Sequence, residues 1–285
     1  MKLFIQGISS WTAHYAIPYI RHEYPRLEMH GTFRSHRPQF EEGHCTLYPI
    51  DRNSDCLPIV EEVRPDYFLH LARGEEDEDF VFHQNLIPIL NRLGIHYSFA
   101  SSFNAVDSNT ETDHMENELA HAQTGYGKFK AQCENELMEK SQSFAIFRFA
   151  AVHGWAPGRL SRTESFLQKL QAGEEVTVDR GVLQNRPFVG YLACMMIDTI
   201  LAEGQGVFHL GPEDASEELV FLRHLAEEFG YSQHQIIEGQ LTPINAFMIP
   251  GKIYEMFGDR WRFREGDTIR EIVKTPELQK YRSAK

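Results

Sequence analysis

The first half of the chain alternates short apolar runs with stretches of helical period, and that alternation restricts the fold more than any other feature. Residues 3–6 read as a buried strand; a turn and a helix over 11–24 follow, and 27–33 reads as a second strand. A helix over 57–63 is broken by Arg64-Pro65-Asp66 ahead of a strand at 67–71. A helix over 80–93 ends at Gly94, and 96–100 is again a strand. A helix over 128–140 and a strand over 145–150 complete the series. Strands separated by helices need right-handed crossovers, and therefore a parallel sheet covered on both faces. The expected class is α/β with a doubly wound parallel sheet.

From Gly154 the pattern changes. Helical stretches at 165–171 and 190–202 surround an extended 175–179, 208–210 is a short strand, and 217–229 is an amphipathic helix. The tail from Gln240 has no clear period, although 244–256 reads as a helix broken by Pro250. A chain of 285 residues can bury one large core or two small ones. The expected division is a first domain over 1–153, to which 190–210 return. A smaller C-terminal α/β domain would be built from 154–189 and 211–285. The acidic run Glu75-Glu76-Asp77-Glu78-Asp79 reads as a solvated loop and first helical turn, where acids suit the helix dipole.

Charge and cysteine usage exclude several classes. A net charge of −13 argues against a nucleic-acid partner, because phosphate backbones select for clustered Lys and Arg. The four cysteines show no ligand spacing and read as reduced thiols, and the 14 histidines are scattered, so no metal is assigned. No apolar run reaches the ~18 residues of a membrane span. The opening Met1-Lys2-Leu3-Phe4-Ile5-Gln6-Gly7 reads as a strand entering a turn, not as a signal peptide, so a cytoplasmic location is expected.

Tyr126 and Lys130 lie four residues apart in Gly125-Tyr126-Gly127-Lys128-Phe129-Lys130, at the head of a helix. That spacing stacks both side chains on one helix face. An ammonium beside a phenol favours the phenolate, which brings proton transfer nearer neutral pH. Reduction of a carbonyl needs such a group, because oxygen must gain a proton as hydride reaches carbon. An ordinary exposed helix face gives the same spacing, so the surroundings must decide.

Those surroundings resemble the extended short-chain dehydrogenase/reductase superfamily, and within it the dTDP-4-dehydrorhamnose reductase and NAD-dependent epimerase/dehydratase group. Arg64-Pro65-Asp66 with Leu69-His70-Leu71-Ala72 resembles the family's lead into the fourth strand and that strand's end. Ala100-Ser101-Ser102 resembles its Ser-Ser/Thr, and Tyr126 to Lys130 its Tyr-x-x-x-Lys. Phe147-Arg148 with Val152-His153-Gly154, the block Arg186-Pro187-Phe188-Val189, and Gly206-Val207-Phe208-His209-Leu210 follow in the family's order. The likeness runs from Lys2 to about Gly230. It implies a Rossmann-like sheet, a nicotinamide cofactor, a nucleotide-sugar substrate and a homodimeric habit. It also implies a triad in which Tyr126 donates the proton, Lys130 lowers its pKa and holds the cofactor ribose, and Ser102 hydrogen-bonds the substrate carbonyl.

The chain departs from that pattern in several places. The family's glycine-rich turn survives only at Gly7; the stretch Gly7-Ile8-Ser9-Ser10-Trp11-Thr12-Ala13 puts Ser10 and Ala13 where later glycines are expected. Gly7, Ser9, Ser10 and Trp11 remain the candidate phosphate turn. Ala72 and Arg73 are candidate cofactor contacts, Arg73 standing where the family carries a small residue; pairing with the acidic run after it is the alternative. Gly190-Tyr191 replaces the family's His-Val. After Ser102 the chain reads Phe103-Asn104, without the acid pair of the dehydratases, which favours reduction or epimerisation with Asn104 at the substrate. Arg34, with His36 and Arg37, would suit a 2′-phosphate, so NADP(H) is expected and NAD(H) is the alternative. Asp51 resembles the aspartate near the adenine, and Arg186 is the candidate for the substrate phosphates. A relative that kept the fold without catalysis, as a nucleotide-binding or regulatory protein, is the second functional reading.

Overall fold

A computed structural model describes residues 1–38 and 45–283. The chain divides into two units, the first made of 1–107, 117–148 and 193–208, the second of 108–116, 149–192 and 209–285. The segment 108–116, which sequence reading leaves in the first domain, goes with the second.

In chain order the first unit holds β1 (Lys2–Gln6), α1 (Trp11–Glu23), β2 (Glu28–Phe33), β3 (Cys45–Pro49), α2 (Cys56–Val63), β4 (Tyr67–His70), α3 (Asp77–Leu93), β5 (His96–Ala100), α4 (Gly125–Lys140) and β6 (Phe144–Arg148). The chain then leaves for α5 (Arg162–Gln171) and β7 (Val176–Gln184) of the second unit, and returns through α6 (Val189–Leu201) to β8 (Gly206–His209). The sheet order is β3-β2-β1-β4-β5-β6-β8, with parallel register from β3 through β6. This is the doubly wound Rossmann-like arrangement: the winding reverses between β1 and β4, and ligands of such sheets bind outside the strand ends at that reversal.

Side chains alternate across the sheet, so Phe4 and Phe68 face one side and Leu3, Ile5 and Leu69 the other. The first side packs against α2, α3 and α4 through Val60, Phe82, Leu86, Leu90, Phe129 and Leu137. Phe4 and Phe68 stack there with ring centroids 5.4 Å apart. On the opposite side α1 buries Ala13, Ala16, Ile17 and Ile20, and is tied to α6 by Tyr19 and Tyr24, whose hydroxyls donate to Asp198 at 2.6 and 2.7 Å.

A chain of neutral imidazoles runs through the first core. His83 donates from Nε2 to the Cys133 carbonyl (2.9 Å), accepts at Nδ1 from the Tyr97 hydroxyl (2.8 Å), and Tyr97 in turn accepts from His70 Nδ1 (2.9 Å). Burial holds His83 down at about 4 and His70 well below its ordinary value, and it also lowers His96 to about 4. Once unfolded, these imidazoles protonate near 6.5, so below that pH the unfolded state binds more protons. Stability therefore holds above about pH 6.5 and falls between there and about 4, by roughly 1.4 kcal/mol per pH unit for each such group. Urea titrations over that range should show a falling midpoint, with a shallower fall in His83→Gln. A midpoint that does not move with pH contradicts the buried neutral state.

The second unit adds a three-stranded sheet, β10-β7-β9, in which β9 (Ser216–Glu217) is antiparallel to β7 and β10 (Ile236–Ala246) is parallel to it. Helices α7 (Glu218–Glu228), α8 (Gly251–Phe257) and α9 (Glu265–Lys274) complete it. The tail expected to be aperiodic, with a helix from 244, is instead strand up to Ala246. Two register shifts, between Glu238 and Leu241 and between Leu241 and Ile244, break the alternation that would have revealed β10.

Candidate active site

The loops at the β1–β4 reversal meet through a glycine. Gly7 has φ +81°, and a Cβ there would lie 2.7 Å from the Ala72 amide nitrogen, so the turn after β1 rests on the backbone that leaves β4. The Ser10 amide closes the turn on the Gly7 carbonyl at 2.9 Å. Ser10 also caps α1, its hydroxyl accepting from the Ala13 amide at 3.2 Å, while Ala13 is fully buried and small enough for the helix to lie close. Ser9 is exposed at the turn, and Trp11 opens α1 half-buried. A backbone cradle that admits no Cβ, aimed at the N-terminal end of a helix, fits the pyrophosphate of a dinucleotide. Arg34, His36 and Arg37 are exposed just past β2, and Asp51 is exposed just past β3.

The catalytic candidates converge at the end of β5. Thr124 caps α4 by accepting from the Gly127 amide (3.1 Å) and is itself anchored to Asp107 (2.6 Å). A Cβ at Gly127 would stand 2.2 Å from the Asn104 carbonyl oxygen, so only glycine lets α4 press on the 103–106 turn. That contact brings Tyr126 close to Ser102, whose side chain favours the phenolate. Ser102 also donates to Asn104 Oδ1 (3.1 Å) and accepts from the Asn104 amide (3.2 Å).

Lys130 is buried, donating from Nζ to the Ala100 carbonyl at 2.8 Å, with the ammonium 4.5 Å from the Phe99 ring centroid and 5.7 Å from that of Tyr126. Burial lowers it to about 8. Burial also raises Tyr126; the strongest opposing influence is the Arg73 guanidinium, with Ser102 on the same side and Glu75 against. Two cations therefore stand near the phenol, Lys130 at 5.7 Å and Arg73 at 5.9 Å from its ring centroid. Helical spacing puts Tyr126 and Lys130 on one face, but the long lysine stem turns its ammonium to Ala100, and Arg73 is the cation that counts most at the phenol.

A buried ion pair fixes the helix that carries these groups. Arg148, at the end of β6, and Glu134, one turn beyond Lys130, are both fully buried and joined by two bonds from Nε and Nη2, the latter at 2.6 Å. Ser101, beside Ser102, donates to the same carboxylate. Sequence reading noted Arg148 and missed Glu134, although its spacing from Lys130 was a signal. The acidic run lies as expected, in an exposed loop and the first turn of α3. There, Asp79 accepts from Asn53 Nδ2 (2.7 Å) and from the Glu75 and Glu76 amides at the start of α3, and Glu75 grips Arg73.

Arg186 is placed differently from expectation. Its side chain is fully buried in the second unit, bonded to Glu265 at 2.8 Å and to the Gln184 and Ser216 carbonyls, and lying 4.9 Å from the Phe221 ring centroid. A guanidinium so enclosed and neutralised is not available to substrate phosphates as folded. Among the described residues, no group of three or more His, Cys, Asp or Glu could hold a metal ion, and no helix is long and apolar enough to cross a membrane.

No family model matches the chain, and no curated protein matches it. Solved structures do. A Bacillus anthracis dTDP-glucose 4,6-dehydratase in complex with NAD superposes with a TM-score of 0.82 at 10% identity, covering 99% of this chain and 98% of that one. The Bordetella bronchiseptica enzyme WbmH in complex with NAD+ gives 0.80 at 16% identity over 96% and 97%. A dTDP-4-dehydrorhamnose reductase from Bacillus anthracis in complex with NADP gives 0.74 at 12% over 95% and 98%. The chain thus has, over nearly its whole length, the fold of these dinucleotide-bound enzymes.

Proposed function

We propose that this chain is an extended short-chain dehydrogenase/reductase, an NADPH-dependent reductase (or epimerase) of a nucleotide-linked keto-sugar. The convergence of Ser102, Tyr126 and Lys130 beside the Gly7–Ala72 cradle is the observation that carries the reading. When bound, the cofactor supplies hydride to the ring ketone. Tyr126 gives its hydroxyl proton to the carbonyl oxygen, and Ser102 hydrogen-bonds the same oxygen as charge develops on it. Lys130, near 8 and so charged through most of the neutral range, holds the cofactor ribose and helps return a proton to the phenol. The Gly7 turn and the first amides of α1 take the pyrophosphate, and Asp51 lies on the adenine side. Phe103-Asn104, in place of the acid pair of the dehydratases, counts against dehydration. Cytoplasmic location and a homodimer go with this reading.

Fluorescence titration with NADPH, and with NADH beside it, tests the cofactor. Arg34→Ala should weaken NADPH by roughly 10- to 100-fold, the worth of a charged hydrogen bond, and NADH far less. Equal losses contradict 2′-phosphate recognition. The half-buried indole of Trp11 at the head of α1 favours the second reading, a non-catalytic relative. Failure of both nucleotides to bind at millimolar concentration would sink the catalytic reading.

A further inference from the structure

Arg73 leaves the end of β4 with a side chain 80% exposed, yet its guanidinium carbon lies 5.9 Å from the Tyr126 ring centroid. Glu75, two residues on and only 34% exposed, pairs with both Nε and Nη2 of the guanidinium. A paired arginine so close to its own turn has fewer orientations than a free one, and here the retained orientation is against the phenol. Lys130 is as near to the ring, at 5.7 Å, but its ammonium is directed at the Ala100 carbonyl and the Phe99 face. The charged groups around Tyr126 are thus Arg73 and Glu75 from the loop that follows β4, and Lys130 from its own helix. Ser102, just past the end of β5, is a neutral neighbour that also favours the phenolate.

We propose that Arg73, tethered by Glu75, is a positioning residue for Tyr126, placing on the open side of the ring the positive charge that favours the phenolate. The proposal rests on Tyr126 as the proton donor, and it gives a purpose to an arginine at the end of β4 where a small residue would leave that side bare. Burial alone would make the phenol a poorer acid, and Arg73 is the largest influence working the other way. Because the guanidinium is largely exposed, water and salt weaken its action. Removing it should raise the phenol midpoint by roughly half a pH unit at low ionic strength. The same removal should do almost nothing at about 1 M salt.

The phenol can be followed without turnover. The absorbance titration of the wild type minus that of Tyr126→Phe isolates this one tyrosine, and uniform 3-fluorotyrosine brings the titration to milder pH. Arg73→Gln should move the midpoint upward and Arg73→Lys should hold it near the wild type, with the difference closing at high salt. No shift in Arg73→Gln, or equal shifts in both variants, overturns the proposal. If turnover is measurable, its pH profile should move in the same direction. A midpoint that shifts as expected in a protein that reduces nothing would refute the proposed function and leave Arg73's role intact.

Discussion

Tyr126→Phe should lower turnover roughly 10²- to 10⁴-fold, the usual contribution of a positioned proton donor, while NADPH affinity stays within a few-fold. The substitution removes one oxygen and keeps the ring, so the surfaces facing Arg73 and Lys130 are retained. Ser102 keeps Asn104, which holds its hydroxyl in place. The cradle at Gly7 and Ala72 is untouched. A fall in kcat with little change in cofactor binding is the mark of a group that acts in the transition state. Steady-state rates with a keto-sugar nucleotide, beside a fluorescence titration of the cofactor, separate the two quantities. Unchanged turnover rejects Tyr126 as the acid.

Glu134→Ala should cost about 3–5 kcal/mol of stability, because it strands the Arg148 guanidinium in the core without a counter-ion. Against a typical total of about 5–15 kcal/mol, that loss brings the protein near unfolding at ordinary temperatures. Arg148 already has one nitrogen, Nη1, without a partner, so it has no reserve of hydrogen bonds once the carboxylate is gone. The double variant Glu134→Leu/Arg148→Met should recover most of the loss, since removing both charges also removes the cost of burying them. Urea unfolding of the wild type, the single variant and the double variant reads the outcome. A single variant as stable as the wild type would mean that the carboxylate does not anchor α4. Because Ser101 donates to the same carboxylate, the single variant should also loosen the end of β5 next to Ser102 and slow turnover.

Most of the sheet was legible because β1, β4, β5 and β6 are buried and appear as short apolar runs separated by helical period, whereas β3, intermediate or exposed throughout, was not picked out as a strand. β10 was hidden by register shifts that erase the two-residue alternation. The pairing of Tyr126 with Lys130 was readable from spacing, since a helix fixes which Cα atoms share a face. The direction of the lysine head was not, because a four-carbon stem can deliver its charge to a phenol or to a strand-end carbonyl. Arg73 was read as a candidate cofactor contact, with pairing to the acidic run after it as the alternative, and Glu75 as part of that run. Their place at the phenol showed only when the loop after β4 met the head of α4, a contact more than fifty residues apart that no local pattern carries. The burial of Arg186 was illegible for a similar reason: Glu265, its partner, lies far along the chain.

The most direct measurement is a crystal structure of the protein soaked with NADPH. The dinucleotide should lie across the ends of β1 and β4, its pyrophosphate on the Gly7 turn and its nicotinamide ring facing the Tyr126 hydroxyl. A cleft filled by the Trp11 indole, or a Tyr126 hydroxyl turned to bulk water with cofactor bound elsewhere, would contradict the account.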